Sequence, residues 1–425
     1  MNPILRFLYF LFKVTVRTGA RIYYPDTVVL NRERLRFKGP ALLVSNHPNT
    51  LMDVLNTAAK VDEQVFFLAN AGLFSTPFTN WLFNTLYCIP IQRPADTGGK
   101  PLQNDEAFAR CDAFLAGGGT LYIAPEGGSE MERRLRPLKT GTARIGFSAE
   151  SKADYALGLI IQPVGLSYGS FLHCGGRLVV NAAEPIRFAD FREAYEKDPQ
   201  GTVRDVTTLL ENRLRDSLID TTDATEDGLA RGLESMLQHE EPLKGEARFR
   251  REKELTVRLA DLHKAQPDAY ADLLERAAVY FASGVRDITV KNGGGGHIVA
   301  AIAGFLPFLY GYLNHILPIG IPKWLAKKLN IYIGYTSTVK FALGALTVPL
   351  FYWLQTRLVS AYVPGYWWIV YLTSLPLSAW WLWRYNKILR LWRSERKWRG
   401  LSGGEREKMK ATREDLAGLA RRLMD

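Results

Sequence analysis

The residues best placed to do chemistry are a histidine and an aspartate six positions apart. Ser45-Asn-His-Pro-Asn-Thr-Leu-Met-Asp53 follows an apolar run, so His47 leaves the end of a predicted strand. Asp53 then falls in the first turn of a predicted helix capped by Asn49 or Thr50. A carboxylate on Nδ1–H fixes the imidazole tautomer and stabilises the imidazolium, leaving Nε2 to take a proton from a hydroxyl. The same residues also fit a turn histidine beside a helix-capping aspartate. The neighbouring blocks favour chemistry. Ala124-Pro-Glu-Gly-Gly-Ser129 ends another strand, and Gly127 and Gly128 let backbone N–H groups approach an anion or oxyanion. Cys88-Ile-Pro-Ile-Gln-Arg93 ends a third strand on an arginine suited to bidentate phosphate binding. Arg133, Arg134, Arg136 and Lys139 add positive potential. A base, a phosphate clamp and a glycine-lined turn make a site for acylating the hydroxyl of a phosphate-bearing molecule. The two Gly-x-Ser-x-Gly spacings, Gly165–Gly169 and Gly400–Gly404, are not read as nucleophile elbows, and no credible Cys–His arrangement indicates a covalent acyl-enzyme. Cys88, Cys111 and Cys174 lie too far apart for a CxxC-type zinc site, and no metal cluster is expected.

Positioning these groups requires strands that end along one edge. Runs at 41–45, 65–69, 87–91, 120–124, 159–164 and 178–181 read as strands, several apolar throughout, as befits strands covered on both faces. Stretches 51–60, 79–85, 105–116 and 140–150 read as the helices between them. The expected fold is therefore an α/β domain, a mixed sheet with flanking helices, in which His47 projects into the crevice where open sheets bind ligands. Stretches 203–218 and 248–281 read as charged, solvated helices. Glycines at 117–119 follow a helix and precede a strand, the reverse of a phosphate loop, and those at 293–296 read as a hinge.

At these blocks the chain resembles the PlsC-like family of glycerolipid acyltransferases. That family carries a His-x4-Asp motif, an arginine block, a Phe-Pro-Glu-Gly block and a later proline block. Here they correspond to His47 with Asp53, Arg93, Ala124-Pro-Glu-Gly127, and Pro163 in Ile161-Gln-Pro-Val-Gly165, over about residues 25–188. Two departures stand out: five residues rather than four separate His47 from Asp53, and Ala124 replaces the usual aromatic. The longer spacing, the Glu-Gly-Gly-Ser turn and several C-terminal apolar segments resemble the fungal-type glycerol-3-phosphate/dihydroxyacetone-phosphate branch. The resemblance implies His47 as base, Asp53 as its orienter and Arg93 as phosphate ligand. It further implies Glu126, Gly127 and Gly128 at the acceptor, with Ser129 and Lys139 beside them. Arg177 is either a second phosphate contact or a surface arginine. The co-substrate would be an acyl thioester, acyl-CoA or acyl-ACP, with no cofactor.

Composition bounds the rest. With 425 residues and 47% apolar content the chain is neither disordered nor fibrous, and two to three domains are expected. Its 54 Lys+Arg against 43 Asp+Glu, a net +11, call for an anionic partner. The partner expected is a membrane surface and a phosphorylated acceptor, not nucleic acid, because stretches 298–322, 341–356 and 358–383 contain no Asp, Glu, Lys or Arg. Tryptophans 367, 368, 380, 381 and 383 suit a membrane interface. Lysines 323, 327, 328 and 340 and the basic cluster from Arg384 place both flanks in the cytoplasm, which predicts spans at 339–359 and 366–383. Pro307, Asn314, Pro318 and Pro322 then make the first run re-entrant or in-plane; four crossings with a break at 314–318 is the alternative. Residues 1–17 interrupt an apolar run with Arg6, Lys13 and Arg17, which fits an interfacial or core-packing amphipathic helix better than a signal peptide. The expected divisions are a membrane-associated helix at 1–24, the acyltransferase domain at 25–195 and a charged helical region at 196–290. A membrane region at 298–385 and a basic cytoplasmic tail at 386–425 follow. The reading is thus an integral membrane enzyme of phospholipid biosynthesis with its catalytic domain facing the cytoplasm. A lysophosphatidate acyltransferase and a transporter or scaffold are the alternatives.

Overall fold

The computed structural model describes residues 3–74, 76–77, 80–81, 88–92, 104–329 and 332–425, which form two compact units, Met1–Asp220 and Thr221–Asp425. The predicted helix at 79–85 lies largely outside the described residues. In the first unit, helix α1 (Pro3–Tyr23) precedes strands β1 (Asp26–Leu30) and β2 (Ala41–Ser45) and helix α2 (Leu51–Ala58). Then come β3 (Val65–Asn70), β4 (Cys88–Ile91), α3 (Asp105–Ala116), β5 (Thr120–Ile123) and α4 (Gly141–Lys152). Strands β6 (Ile160–Tyr168), β7 (Arg177–Ala182) and β8 (Ile186–Arg187) and helices α5 (Arg192–Lys197) and α6 (Pro199–Ser217) complete it.

The strands make one mixed sheet in the order β1-β7-β6-β2-β5-β3-β4, with β8 also paired to β6. β2 runs parallel to both β5 and β6, and β3 lies parallel to β5 and β4. β7 is antiparallel to β6, and β1 joins β7 in parallel. Every residue of β2 and of β5 is buried, which is why both read as unbroken apolar runs. Because β2, β5 and β6 are parallel neighbours, their carboxyl ends share one edge. The sheet and α3–α6 enclose a core that includes Leu42, Leu121, Phe147, Ile161, Phe188 and Leu210. The helix expected as solvated at 203–218 is part of α6 and buries Val206, Leu210 and Leu214 in that core.

A proline in a strand with neighbours on both sides would normally break the ladder. Pro163 is tolerated because β6 changes partner beside it: Ile161 faces Ile186 of β8, whereas Val164 faces Ala182 of β7. The Pro163 carbonyl accepts the Ala183 N–H at 2.9 Å, so the missing donor points into the gap between those strands. Gln162 Nε2 fills that gap, donating to the carbonyls of Pro163 and Ala183 at 3.1 and 2.9 Å.

Helix α1 is amphipathic, but two of its cationic residues, Lys13 and Arg17, turn toward the protein while Arg6 and Arg21 stay exposed. Lys13 Nζ donates to the carbonyls of Asp62 and Glu63, both at 2.9 Å, and Arg17 Nε to that of Ala59 at 2.7 Å. These carbonyls lie at and just past the end of α2, where a cation complements the helix dipole. Phe7, Phe10 and Phe12 are left outside, the first two about 60% exposed.

The second unit is helical: α7 (Ala224–Glu240), α8 (Gly245–Ala265), α9 (Pro267–Ala282), α10 (Asp287–Asn292), α11 (His297–Ala303), α12 (Phe305–Lys328), α13 (Thr336–Tyr362), α14 (Trp367–Gly400) and α15 (Gly403–Met424). The stretch read as helical at 248–281 falls in two helices, α8 and α9, which part at Gln266–Pro267. Helix α14 runs without interruption through the expected boundary at 385/386. Helix α12 is likewise continuous through Asn314–Pro318, and the bend of 56° falls instead between α11 and α12, at Gly304. Among the described residues, one helical stretch, Ile333–Tyr362, is long and apolar enough to cross a membrane, and the bent pair α11–α12 is so jointly.

Two prolines inside α12 create a defined polar problem. Pro318 and Pro322 have no N–H for the carbonyls four residues back, those of Asn314 and Pro318. Helix α13 supplies both missing donors: Gln355 Nε2 reaches the Asn314 carbonyl at 2.9 Å, and Thr347 Oγ1 the Pro318 carbonyl at 2.7 Å. Beside them His315 Nε2 meets the Tyr352 hydroxyl at 2.8 Å, and the Tyr371 hydroxyl of α14 donates to Asn314 Oδ1.

Candidate active site

His47 leaves the carboxyl end of β2 and Glu126 follows the carboxyl end of the adjacent β5, so parallel pairing alone brings the two loops together. His47 Nδ1 stands 3.1 Å from Asp53 Oδ2. The Asp53 side chain is fully buried, whereas that of His47 keeps 18% of its surface exposed. His47 Nε2 has no hydrogen-bond partner among the described residues, so the accessible nitrogen is the one left to act. Asp53 is the third residue of α2, and its Oδ2 reaches back to the Asn49 N–H at 2.6 Å. Thr50 takes the N-cap position without a side-chain capping bond, so the expected cap is a carboxylate from inside the helix. The extra residue between His47 and Asp53 does not part them.

Burial pushes the Asp53 carboxyl above the usual carboxylate range, and the nearby His47 imidazole, the Asn49 N–H and the Tyr168 hydroxyl oppose that rise. Asn56 Nδ2 lies 3.4 Å from the Tyr168 hydroxyl behind it. Asn46 ties this end of β2 to β6 through a reciprocal pair: its Nδ2 donates to the Leu166 carbonyl at 3.0 Å and its Oδ1 accepts the Leu166 N–H at 2.7 Å. The Ser45 and Tyr122 hydroxyls, 2.8 Å apart, join β2 to β5 one layer below. Sequence reasoning passed over Asn46, Tyr122 and Tyr168. Only Asn46, adjacent to the histidine at a strand end, carried a local signal.

Glu126, expected among the acceptor contacts, has both oxygens on backbone donors: Oε1 accepts the His47 N–H at 2.6 Å and Oε2 the Arg136 N–H at 3.1 Å. Its carboxyl is also raised, by burial first. Gly127, at φ 74°, makes the turn that a side-chain-bearing residue would resist. Lys139 packs over this turn, its Cγ 3.5 Å from where a Cβ on Gly127 would stand, and its N–H donates to the Pro125 carbonyl at 2.8 Å. Gly128 has open space around the missing side chain. Ser129 Oγ accepts the Thr50 N–H at 3.0 Å. The Arg136 guanidinium, expected to add positive potential, pairs with Glu130 and, at 3.3 Å, with Glu132. Arg177 opens β7, and its carbonyl accepts the Gly169 N–H just past the end of β6, on the edge that carries His47. Arg93 lies outside the described residues. β4 ends two residues before it, with Gln92 held by Asn104 through reciprocal bonds of 2.8 and 2.9 Å.

Residues 26–167 match the family described as Acyltransferase. The chain is 24% identical over 143 residues to a chloroplastic 1-acyl-sn-glycerol-3-phosphate acyltransferase of Arabidopsis thaliana, covering 33% of this chain and 36% of that protein. It is 26% identical over 106 residues to another of Brassica napus, 25% of this chain and 29% of the other. It is 31% identical over 114 residues to a glycerol-3-phosphate O-acyltransferase of Saccharomyces cerevisiae, 27% of this chain and 15% of the other. The matched segments thus span little more than a third of these relatives' lengths at most. A crystal structure of the 1-acyl-sn-glycerophosphate acyltransferase PlsC from Thermotoga maritima aligns over 50% of this chain and 81% of its own, with a TM-score of 0.36 and 18% identity.

Proposed function

We propose that the chain, whose residues 26–167 match the family described as Acyltransferase, acylates the hydroxyl of glycerol 3-phosphate or dihydroxyacetone phosphate from an acyl thioester. The observation that carries this reading is the buried Asp53 carboxylate 3.1 Å from His47 Nδ1, with Nε2 facing the accessible side. His47 Nε2 takes the proton of the acceptor hydroxyl as its oxygen bonds to the thioester carbonyl carbon. The tetrahedral oxyanion collapses with loss of the C–S bond, and the proton on Nε2 passes to the departing thiolate. Asp53 holds the imidazole tautomer and offsets its transient charge. Glu126 fixes the backbone from which His47 projects. We assign the acceptor phosphate to Arg93, with the Gly127–Gly128 turn and Lys139 beside it and Arg177 further along the edge. The longer His–Asp interval and the Glu-Gly-Gly-Ser turn support the small acceptors. The names of two relatives favour 1-acylglycerol 3-phosphate as the second reading.

The same reading puts the protein at a membrane, with its catalytic face toward the cytoplasm. An acyl chain gains about 0.8 kcal/mol per buried CH₂, so donor tail and product both partition into lipid. The outward phenylalanines of α1, the apolar stretches of α11–α14 and the two proline-freed carbonyls of α12 that α13 satisfies support this placement. The test is the full chain purified in detergent and given labelled acyl-CoA or acyl-ACP with each of three acceptors: glycerol 3-phosphate, dihydroxyacetone phosphate and the 1-acyl form. Transfer to either small acceptor is expected. Transfer only to the 1-acyl form selects the second reading, and transfer to none refutes the enzyme.

A further inference from the structure

The segment between His47 and Asp53 contains one strained residue. Thr50 sits at φ 47° and ψ −127°, close to the first central position of a type II′ turn, which glycine normally occupies. A β-branched residue there is a steric outlier that persists only when its surroundings hold it. The Thr50 N–H is held by Ser129 Oγ at 3.0 Å. Three residues earlier in each loop, the His47 N–H is held by Glu126 Oε1 at 2.6 Å. Glu126 and Ser129 therefore accept N–H groups three residues apart from side chains three residues apart. The turn at Gly127 acts as a template on which the whole histidine loop is laid.

We infer that Ser129 is a positioning residue: by anchoring Thr50 in its strained conformation it keeps the lengthened loop, and with it His47, in register with Asp53. The longer His–Asp interval and a hydroxyl at position 129 depend on each other, and Ser129 acts through the backbone rather than on the acceptor. The kinetic part of this inference rests on the proposed acyl transfer; the coupling between positions 50 and 129 does not.

Four variants of the full chain test it: Ser129→Ala, Ser129→Thr, Thr50→Gly and the double variant Ser129→Ala with Thr50→Gly. Ser129→Ala is expected to lower kcat about tenfold with the acceptor KM within about twofold, since small misplacements of a reacting group are costly. Ser129→Thr keeps the hydroxyl and should hold kcat within about twofold of the parent. Thr50→Gly added to Ser129→Ala should recover most of the loss, because glycine adopts positive φ without a holder. A rise in acceptor KM at unchanged kcat would assign Ser129 to substrate and overturn the inference, as would failure of Thr50→Gly to rescue. Thermal melts of the same four proteins supply a readout free of activity. Thr50→Gly should be better tolerated without Ser129 than with it, a non-additivity expected of coupled neighbours. Additive melting shifts sink the inference even if the enzyme is active. A parent protein inactive on every acceptor refutes the proposed function and leaves the melting cycle to decide the coupling.

Discussion

At the scale of single residues, the site depends on a charge kept where charge is disfavoured. Asp53 is fully buried and its carboxyl is raised by that burial, yet it is the group that must face the imidazolium. His47→Ala should reduce acyl transfer by about 10²–10⁴-fold, since that is the range for a general base, with the melting temperature little changed. Turnover near the parent's would remove His47 from the mechanism. Asp53→Asn separates activity from stability. A carboxyl raised in the folded state retains its proton to higher pH there than in the unfolded chain. Its stabilising contribution is therefore full below the ordinary carboxylate range and is lost as pH rises through the folded value. The variant lacks this loss, so its melting temperature relative to the parent should climb from about pH 4 upward while its activity stays low. A relative melting temperature that falls over that window contradicts the raised carboxyl. Arg93→Ala should chiefly raise the acceptor KM, and Arg93→Lys should restore it only in part, because an ammonium lacks the guanidinium fork. A change confined to the acyl-donor KM would assign Arg93 to the other substrate.

At the scale of elements, two helices carry their polar groups where amphipathicity alone would not put them. Lys13 and Arg17 cap the end of α2 instead of facing out, and burial beside Arg17 pushes the Lys13 ammonium down to about 8. The N-terminal helix therefore presents phenylalanines outward. Helix α12 has two internal prolines, and α13 returns a donor to each carbonyl they free. Thr347→Val or Gln355→Leu leaves one partly buried acceptor unpaired, at no more than roughly 1–3 kcal/mol each. The expected result is a lower melting temperature for either variant in detergent. Pro322→Ala, which restores the N–H facing the Pro318 carbonyl, should lessen the effect of Thr347→Val but not that of Gln355→Leu. Equal relief of both would show that the prolines act otherwise than by freeing carbonyls.

At the scale of the whole molecule, a net charge of +11 and a large exposed apolar surface on α11–α14 point to the same class of environment by different forces. Attraction of basic groups to anionic lipid is screened within about 8–10 Å at ordinary salt, whereas burial of apolar helices is not. We therefore expect the chain in a membrane fraction to resist extraction by 1 M salt and by alkaline carbonate, and to be released by detergent. Release by salt alone would reduce the association to surface electrostatics. Cysteine labelling in intact cells checks orientation: a cysteine at 363 is expected to react with an outside reagent, and one at 327 to be protected.

What the amino-acid sequence determined by itself was the local architecture. Strands β2 and β5 were legible because a strand covered on both faces must be apolar at every position. Helix α3 was placed at its observed ends, Asp105–Ala116, with the glycines after it as its stop. The site's neighbourhood followed, since residues after the carboxyl ends of parallel strands must meet along one edge. β1 and β8 were missed: the first is a half-exposed edge strand, and the second has only two residues. Pairing decided what pattern could not, including the inward turn of Lys13, the strain at Thr50 and the donors that α13 lends to α12. It also settled that Glu126 binds two backbone N–H groups. A carboxylate's type announces that it will accept hydrogen bonds, but that the His47 N–H is the donor at 2.6 Å depends on the register of chain segments some eighty residues apart. That register is a property of the packed sheet, not of any stretch of sequence.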